Sequence, residues 1–330
     1  MEGRLAKFGR VTHKRRATIV AISICSLAIS GVLIAGGNQF ADGNQPPASI
    51  EAGRALELVS EELPVTSTNT VTYIFTHEEK SWNSPEFKNW VFEAIETLDE
   101  VPLEILSISM AYDDEENPLH LAQHVSADGK RTAIFVQFGG SDHEVETALD
   151  EIKNSISSEN LEVLVTGSLV INKDFDRLLE QDQLRAEIIG LPISFVILLF
   201  VFGTFTAAVL PMAIVALMLP LAIGLSFYIS GHFPMTQYST SMISLIGIAV
   251  SIDYSLFMIS RFREEIDAGA STEDAIATMM DTAGRAILYS GATVAVGLCS
   301  LFYFTETHMP SMGMGAFLAV LGALLYSLTI

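Results

Sequence analysis

An acidic side chain lies inside a long apolar stretch of this sequence. Between Ile188 and Ser260 only Asp253 is charged, and Tyr254 follows it directly. At about 1.5 Å per residue, an apolar helix readily crosses a hydrocarbon core of ~30 Å, so the sequence places this carboxyl at membrane depth. A charged group there is costly, and it persists mainly where it lines a protein interior or carries a proton or an ion. Asp253 is therefore the first candidate functional residue.

Small and weakly polar residues accompany this carboxyl at helical spacing. Around Asp253, steps of three and four place one such set on a single helical face: Thr240, Ser244, Gly247, Ser251 and Tyr254. A second set with the same spacing follows later in the chain: Ser290, Thr293, Gly297 and Ser300. Faces of this kind let membrane helices approach closely and form hydrogen bonds across the contact, so we expect both sets to pack near the candidate site.

The chemistry expected of Asp253 is reversible protonation. A carboxyl shielded from water between helices favours its neutral form, whereas the ionised form needs a hydrogen-bond donor or a cation. Uptake and release of a proton would therefore bias two helix arrangements. Tyr254 can donate to the carboxylate or relay the proton, and Ser251 is a weaker candidate for either task. The alternative is that Asp253 only holds the helix bundle together as a neutral or hydrogen-bonded packing residue.

The composition separates an apolar part of the chain from an acidic part. Half of the 330 residues are hydrophobic and the mean hydropathy is +0.41, yet the formal net charge is −21. Residues 38–186 hold 29 acidic and nine basic residues, which is nearly the whole excess. The pattern predicts a membrane protein with an acidic, water-exposed domain that repels nucleic acid, so no nucleic-acid partner is expected.

Six apolar segments are long enough to span a membrane. The first covers residues 17–37, and its length and the lack of a clear cleavage site favour an uncleaved helix over a signal peptide. The pairs Gly203 with Pro211 and Gly231 with Pro234 are expected to divide the long apolar stretch. The remaining spans are predicted at 188–208, 210–230, 240–260, 286–305 and 309–330, so that residues 188–330 hold spans two to six.

Basic residues predict the orientation in a cell membrane. Residues 1–16 contain six basic residues against one acid, and the loop between the fourth and fifth spans carries Arg261, Arg263 and Arg285. Both segments are expected in the cytoplasm, which places residues 38–187 outside it. The sequence stops at Ile330 without a polar stop, so we expect it to be cut from a longer chain.

Residues 38–187 show the pattern of a folded domain. After a lead-in to Pro64, strands are predicted at 71–76, 103–110, 132–138 and 163–166, with a helix at 84–98 and another starting near Ser141 and Asp142. This order, βαββαβ, predicts an α+β split-βαβ (ferredoxin-like) domain. An acidic linker is expected at 113–129, and a helix that starts near Ile171 continues into the second span.

The segment Gly247–Glu265, GIAVSIDYSLFMISRFREE, resembles the fourth-helix signature of the MMPL family, within the RND superfamily of proton-driven exporters. Three further motifs support the resemblance: VTG at 165–167, TAGRAILYSG at 282–291 and PSMGMG at 310–315. Together these motifs cover the chain from about residue 17 to residue 330.

The resemblance implies an extracytoplasmic porter subdomain between the first two spans and a sterol-sensing-type helix group from about Ile188. It also implies that Asp253 and Tyr254 form the Asp-Tyr proton-relay pair of the family. Ala249 and Ser251 stand where the family often has glycine, which predicts slightly looser helix contact. Family members carry about twelve spans, with a second Asp-Tyr pair and a second porter subdomain in a later half that this sequence lacks.

We therefore expect the N-terminal half of an exporter driven by the proton-motive force, acting on a lipid, a drug or another hydrophobic or amphipathic molecule. Its expected partners are protons, this substrate and a second transporter half or further copies of the chain. The alternative is a non-pumping protein: a sterol-sensing-type lipid sensor, a scaffold or an inactive fragment of a longer transporter. No enzymatic activity is expected, since the sequence contains no nucleotide-binding loop and no Ser-His-Asp arrangement.

No cofactor or metal is expected either. Cys25 and Cys299 both lie in apolar segments without ligand spacing. His120 and His124 are four residues apart beside an acidic run, but the sequence favours a solvated loop there over a metal site.

Overall fold

The computed structural model describes residues 3–40, 50, 51, 53–55, 58, 69–140, 142–305 and 307–330. The chain divides into a sheet unit, residues 51–180, and a helical unit, residues 1–50 and 181–330. The predicted lead-in to Pro64 and the predicted helix start at Ser141 lie outside the described residues.

The sheet unit contains four strands in the order β2-β3-β1-β4, and each neighbouring pair is antiparallel. The strands are β1 (Thr70–Thr76), β2 (Ile105–Ser109), β3 (Arg131–Phe138) and β4 (Glu162–Thr166). The helices between them are α3 (Pro85–Glu96), α4 (Pro118–His124) and α5 (Asp142–Ser155). The four predicted strands and the two longer helices are confirmed, with boundaries that differ by a few residues.

Alternating side chains of β1 and β3 build the core of this unit. Val71, Tyr73 and Phe75 are fully buried on one face of β1, and they pack with inward residues of β3, α3 and α5. The intervening threonines and Ile74 lie on the other face and are only half-buried. This two-residue period is the one that a strand with a single buried face requires.

The prediction of an acidic linker at residues 113–129 is wrong, because this segment contains helix α4. Asn117 caps the helix by accepting hydrogen bonds from the backbone N–H groups of Leu119 and His120, and Pro118 occupies its first turn. An Asn cap followed by proline is a helix-start signal that the acidic composition obscured.

The helical unit begins with α1 (Arg4–Lys14) and α2 (Arg16–Ala35). It continues with α6 (Ser168–Phe202), whose first residues belong to the sheet unit, and with α7 (Phe205–Ser230) and α8 (Tyr238–Asp267). The last helices are α9 (Thr272–Met279), a π-helical turn (Met280–Gly284), α10 (Arg285–Cys299) and α11 (Met309–Thr329). Within the described residues, six helical segments are long and apolar enough to cross a membrane, and they overlap the six predicted spans.

The boundary between the second and third spans differs from the prediction. Gly203 has a φ of +65°, a left-handed conformation that glycine adopts without steric cost, and it separates α6 from α7. Pro211 was expected to break the chain as well, but it lies inside α7, as does Pro220. Proline is tolerated inside membrane helices where neighbouring helices and local adjustments satisfy the freed backbone groups.

Close contacts at glycine hold several helices together. A Cβ added to Gly315 of α11 would lie 2.9 Å from the carbonyl carbon of Ser239 in α8, and one added to Gly224 of α7 would lie 3.1 Å from the Ser30 carbonyl oxygen in α2. The hydroxyls of Ser26 in α2 and Tyr326 in α11 are 2.6 Å apart. The helix that carries Asp253 is therefore packed backbone to backbone against its neighbour.

A buried tyrosine gives the sheet unit a defined response to pH. The Tyr73 hydroxyl donates a 2.8 Å hydrogen bond to the Ile152 carbonyl, and burial raises the pKa of Tyr73 to about 12. We expect Tyr73→Phe to lower the free energy of unfolding by ~1 kcal/mol at neutral pH, because one buried hydrogen bond is lost. Since the folded pKa lies above the unfolded value of 10.0, the stability advantage of wild type should fall as pH rises from 10 to 12.

Urea unfolding followed by tryptophan fluorescence measures this difference, because both tryptophans, Trp82 and Trp90, lie in the sheet unit. Tyr303→Phe is the control, since Tyr303 is exposed and lies in the other unit. A stability difference between wild type and Tyr73→Phe that stays constant up to pH 12 would contradict the role of burial.

Candidate functional site

Asp253 lies on an outward face of α8. Leu245, Ala249, Asp253 and Phe257 recur every four residues, and all four are exposed. Within the described part of the chain, no side chain forms a hydrogen bond or an ion pair with the Asp253 carboxyl. The expectation that other helices of this sequence enclose the carboxyl is therefore not met. Any shielding of Asp253 from water must come from lipid or from protein outside the described residues.

Unlike the exposed Asp253, Tyr254 points into the helix bundle. Its side chain is buried, and it belongs to a core cluster with Met258 of α8 and Ile287 of α10. The hydroxyl of Ser290 in α10 lies close enough to the Tyr254 phenol to interact with it, and so does the charge of Asp253. Asp253, Tyr254 and Ser290 thus form one group, in which the phenol connects an exposed carboxyl to the interior of the bundle.

Ser251 is a buried polar group without a partner. Its side chain is fully buried, and its hydroxyl has no hydrogen-bond partner among the described residues. The hydroxyl of Ser255 bonds instead to the Ser251 backbone carbonyl. An unsatisfied buried hydroxyl costs about 1–3 kcal/mol, so a helix arrangement that supplied a partner to Ser251 would gain that energy.

The face of α8 that carries Gly247 packs against α7 and α11. A Cβ added to Gly247 would lie 3.0 Å from Met218 Sδ and 3.3 Å from Ala319 Cβ. Ser244 is buried on the same face. Thr240 is half-buried, and its hydroxyl donates to the Gln237 carbonyl at 2.7 Å.

Gln183 is a polar contact that the sequence reasoning missed. Its Nε2 donates to Ser244 Oγ at 2.8 Å, and its Oε1 accepts from Ser241 Oγ at 3.1 Å. Gln183 lies on α6 just before the apolar part of that helix, where a polar residue looks like ordinary surface. The only available signal was its position four residues before Glu187, to which it also donates at 3.3 Å.

The second set of small residues was predicted to pack near Asp253; Ser290 does lie near Tyr254, but Gly297 packs against no other described residue, which corrects that part of the prediction. Ser290, Thr293 and Gly297 are exposed, and a Cβ added to Gly297 would have no heavy atom within 4 Å. The buried residues of α10 are Ile287, Gly291 and Ala295. Gly291 receives the Leu324 side chain of α11, whose Cδ1 would lie 2.6 Å from an added Cβ.

The two histidines of the sheet unit are ordered on α4, and His124 is buried, which corrects the expected solvated loop. Their rings are 4.3 Å apart. His124 Nε2 lies 3.0 Å from Ser109 Oγ, and His120 Nε2 lies 2.8 Å from the Met110 carbonyl oxygen. Among the described residues, no group of three or more His, Cys, Asp or Glu side chains is placed to hold a metal ion.

The architecture defines a multi-pass membrane protein with a small antiparallel sheet domain between its first two spans. Residues 44–330 match the model of the MMPL family. This match covers most of the chain, which therefore belongs to the MMPL family of the RND superfamily.

Several mycobacterial proteins are similar to it. Over 151 residues, the chain is 40% identical to the mycolic acid-containing lipids exporter MmpL11 of Mycolicibacterium smegmatis and 38% identical to the heme uptake protein MmpL11 of Mycobacterium tuberculosis. These alignments cover 46% of the chain and 16% of each relative. The trehalose monomycolate exporter MmpL3 of Mycobacterium tuberculosis is 30% identical over 209 residues, which is 62% of the chain and 22% of that protein.

A solved structure shares the fold. The crystal structure of a heavy metal efflux pump matches 98% of the chain with a TM-score of 0.55 at 13% identity, and the chain covers 46% of that pump. The chain thus spans less than half of that pump, and its alignments with the curated relatives cover under a quarter of each.

The burial of α10 predicts how two glycines of the same helix respond to substitution. Gly291→Val should destabilise the protein by about 1–3 kcal/mol because the added side chain overlaps Leu324. Gly297→Val is the matched control and should leave stability of the isolated chain unchanged, since its surroundings are open. The measurement is the fraction of protein that stays folded after heating in detergent, read by size-exclusion chromatography. Equal loss in both variants would show that the exposed face of α10 is the packed one.

Proposed function

We propose that this chain is the proton-coupling half of an RND/MMPL-type exporter, driven by the proton-motive force and acting on a hydrophobic or amphipathic substrate such as a lipid or a drug. One observation carries the proposal: Asp253, the only acid in the apolar stretch of residues 188–260, lies beside Tyr254 on the fourth span of an MMPL-family helix bundle. A shared fold alone does not establish an activity, so the function depends on the chemistry of this site.

Protonation of Asp253 would convert a proton gradient into helix movement. The neutral carboxyl can face apolar neighbours, whereas the carboxylate needs a donor, and the phenol of the adjacent Tyr254 is a candidate donor. Ser290 can replace Tyr254 as the partner of the carboxylate or hold the phenol in position. The unpaired hydroxyl of Ser251 is a further group that would gain a hydrogen bond in a second arrangement.

The available energy is sufficient for such a step. A proton that crosses the membrane potential releases about 2.3 kcal/mol per 100 mV, before any pH gradient is added. A population shift from 1:9 to 9:1 requires about 2.6 kcal/mol by the same relation that assigns about 1.4 kcal/mol to each factor of ten. One proton per cycle therefore supplies this energy at a membrane potential of about 115 mV, and a pH gradient lowers the potential that is required.

We further propose that a second transporter half, or a second copy of the chain, covers the face that carries Asp253. The exposed residues Leu245, Ala249 and Phe257 surround the carboxyl with apolar surface, and the exposed small residues of α10 would permit close helix approach. Enclosure by such a partner would keep the carboxylate from water and make its protonation state depend on the helix arrangement. The purified chain should accordingly form a complex larger than a monomer, and a strictly monomeric mass in detergent and in lipid discs would remove the second-copy option.

The sheet domain fits the role of a porter-like subdomain. Its βαββαβ order and its strand order β2-β3-β1-β4 support a split-βαβ, ferredoxin-like fold. The substrate class is supported by relatives whose names describe the export of mycolic acid-containing lipids and of trehalose monomycolate.

The second candidate function is a non-pumping sensor or scaffold. The outward position of Asp253 favours this function if no partner covers the carboxyl. Without a covering partner the carboxyl faces lipid or water and has no defined alternative partner. Proton uptake into membrane vesicles from cells that supply the partner half separates the two: uptake that depends on Asp253 supports the exporter, and uptake that Asp253→Asn leaves unchanged supports the passive role.

Asp253→Asn should abolish proton-coupled transport, because the amide has the shape of the neutral carboxyl but cannot ionise. Membrane insertion and the yield of folded protein should remain unchanged. Ser300→Ala is the control, since Ser300 is exposed and bonds only within its own helix, to the Gly297 carbonyl. The assay is substrate export by cells that supply the partner half, measured together with internal pH. Transport by Asp253→Asn at the wild-type rate would remove Asp253 from the mechanism.

The orientation follows from the distribution of basic residues, which favours a cytoplasmic N-terminus and an extracytoplasmic sheet domain in the cell membrane. In a chain whose two cysteines are replaced by serine, we expect Ser107→Cys in exposed strand β2 to react with a membrane-impermeant thiol reagent in intact cells. Ala268→Cys, exposed after α8, should react only after lysis. The reverse labelling pattern would invert the topology.

A further inference from the structure

The N-terminal helix α1 has two different faces, and only one of them is used inside the described protein. On the used face, Ala6 and Gly9 are buried against α9 and the π-helical turn. A Cβ added to Gly9 would lie 2.8 Å from Met280 Cγ and 3.2 Å from the Ile276 carbonyl oxygen. Such a close approach fixes both the position and the rotation of α1.

An ion pair strengthens this attachment. The guanidinium of Arg10 lies 3.2 Å from a Glu273 carboxylate oxygen and 2.8 Å from an Asp274 carboxylate oxygen. Both acids lie in the first turn of α9. Because α1 is docked through this face, its opposite face is held in a fixed position and points away from α9.

The opposite face combines positive charge with apolar side chains. Phe8 and Val11 are 42% and 50% exposed, far more than apolar residues on a docked helix require. Arg4, Lys7 and Lys14 flank them and are also exposed. Within the described residues, none of these three basic side chains forms an ion pair.

The chain itself holds this face at a membrane surface. Helix α1 ends at Lys14 and the first span, α2, begins at Arg16, so only Arg15 separates them. At about 1.5 Å per residue, every residue of α1 lies within roughly 20 Å of the start of the span, and the last turn lies within one Debye length of ~8 Å. Basic helices with one or two large apolar side chains lie in the headgroup region of bilayers.

We propose that the exposed face of α1 (Arg4, Lys7, Phe8, Val11 and Lys14) is a binding surface for anionic lipid headgroups in the leaflet where the first span begins. Phe8 and Val11 enter the boundary between headgroups and acyl chains. The three basic side chains extend along the surface to lipid phosphates, which replace the carboxylate partners that the described chain does not give them. This inference does not depend on proton coupling or on the orientation of the protein.

An acidic protein surface is the competing occupant, and the geometry disfavours it. A soluble acidic partner would leave Phe8 and Val11 without an apolar environment, whereas a lipid surface satisfies both kinds of side chain. The immediate connection to α2 also supplies lipid at high local concentration, so that even weak individual contacts are occupied.

The test uses the whole chain in lipid discs, where both membrane faces are open to reagents. With both cysteines replaced by serine, Val11→Cys carries a nitroxide spin label, and its collision rates with oxygen and with a water-soluble nickel chelate are compared. In discs with about one third phosphatidylglycerol, the label should be accessible to oxygen and protected from nickel. In discs of phosphatidylcholine alone, nickel accessibility should rise. A label at Ala268→Cys, which is exposed after α8, should remain accessible to nickel in both lipids.

The second part of the test removes the basic charges of this face. Arg4→Gln, Lys7→Gln and Lys14→Gln together should lower the equilibrium constant for insertion by about 100-fold, since each basic residue near an anionic surface contributes about a factor of five. The matched control removes three charges from the sheet unit, Lys80→Gln, Lys88→Gln and Lys130→Gln, and should leave the label at position 11 protected. A label at position 11 that is equally open to nickel in both lipids would overturn the proposal. Strong dipolar coupling between labels of two chains in both lipids would overturn it in favour of a second copy.

Discussion

Contacts between helix backbones at glycine determine the geometry of the helical unit. In a bilayer, apolar side chains gain little by leaving lipid for one another, so helices associate through close packing and hydrogen bonds. Gly315 lets α11 meet the backbone of α8 at Ser239, Gly224 lets α7 meet α2 at Ser30, and Gly291 accepts Leu324. The contact at Ser239 and the packing of Gly247 against Met218 and Ala319 fix the rotation of α8. That rotation directs Tyr254 inward and Asp253 outward.

This rotation places the Asp253 carboxyl on the surface of the helix bundle. An acid enclosed by its own chain would be a completed site, whereas Asp253 belongs to a surface with Leu245, Ala249 and Phe257. The Tyr254 side chain is buried beside it, and the exposed Ser290 lies near the phenol. The described residues thus supply only part of the surroundings of Asp253, and the rest comes from lipid or from protein outside these residues.

The sequence predicted the elements well because their signals are local. Period-two alternation marks Val71, Tyr73 and Phe75 as one face of a strand, and lack of charge marks the spans. It could not decide which of two glycines in α10 is buried, since only the position of Leu324 distinguishes Gly291 from Gly297. Pro211 looked like a breaker because soluble helices reject proline, a rule that membrane helices relax. Gln183 looked like surface because its partners, Ser241 and Ser244, lie about 60 residues later.

Two contacts connect the helix of Asp253 to the same neighbour at different depths. Near the middle of the span, Tyr254 of α8 interacts with Ser290 of α10. At the end of α8, Arg261 Nε donates to Thr282 Oγ1 at 3.3 Å, and the same guanidinium pairs with Glu264 and Glu265 of its own helix. Thr282 lies in the π-helical turn, a widened turn of the kind that often occurs at functional sites. A rotation of α8 of the proposed kind would strain both contacts together, and one of them lies in the π-helical turn that joins α9 to α10.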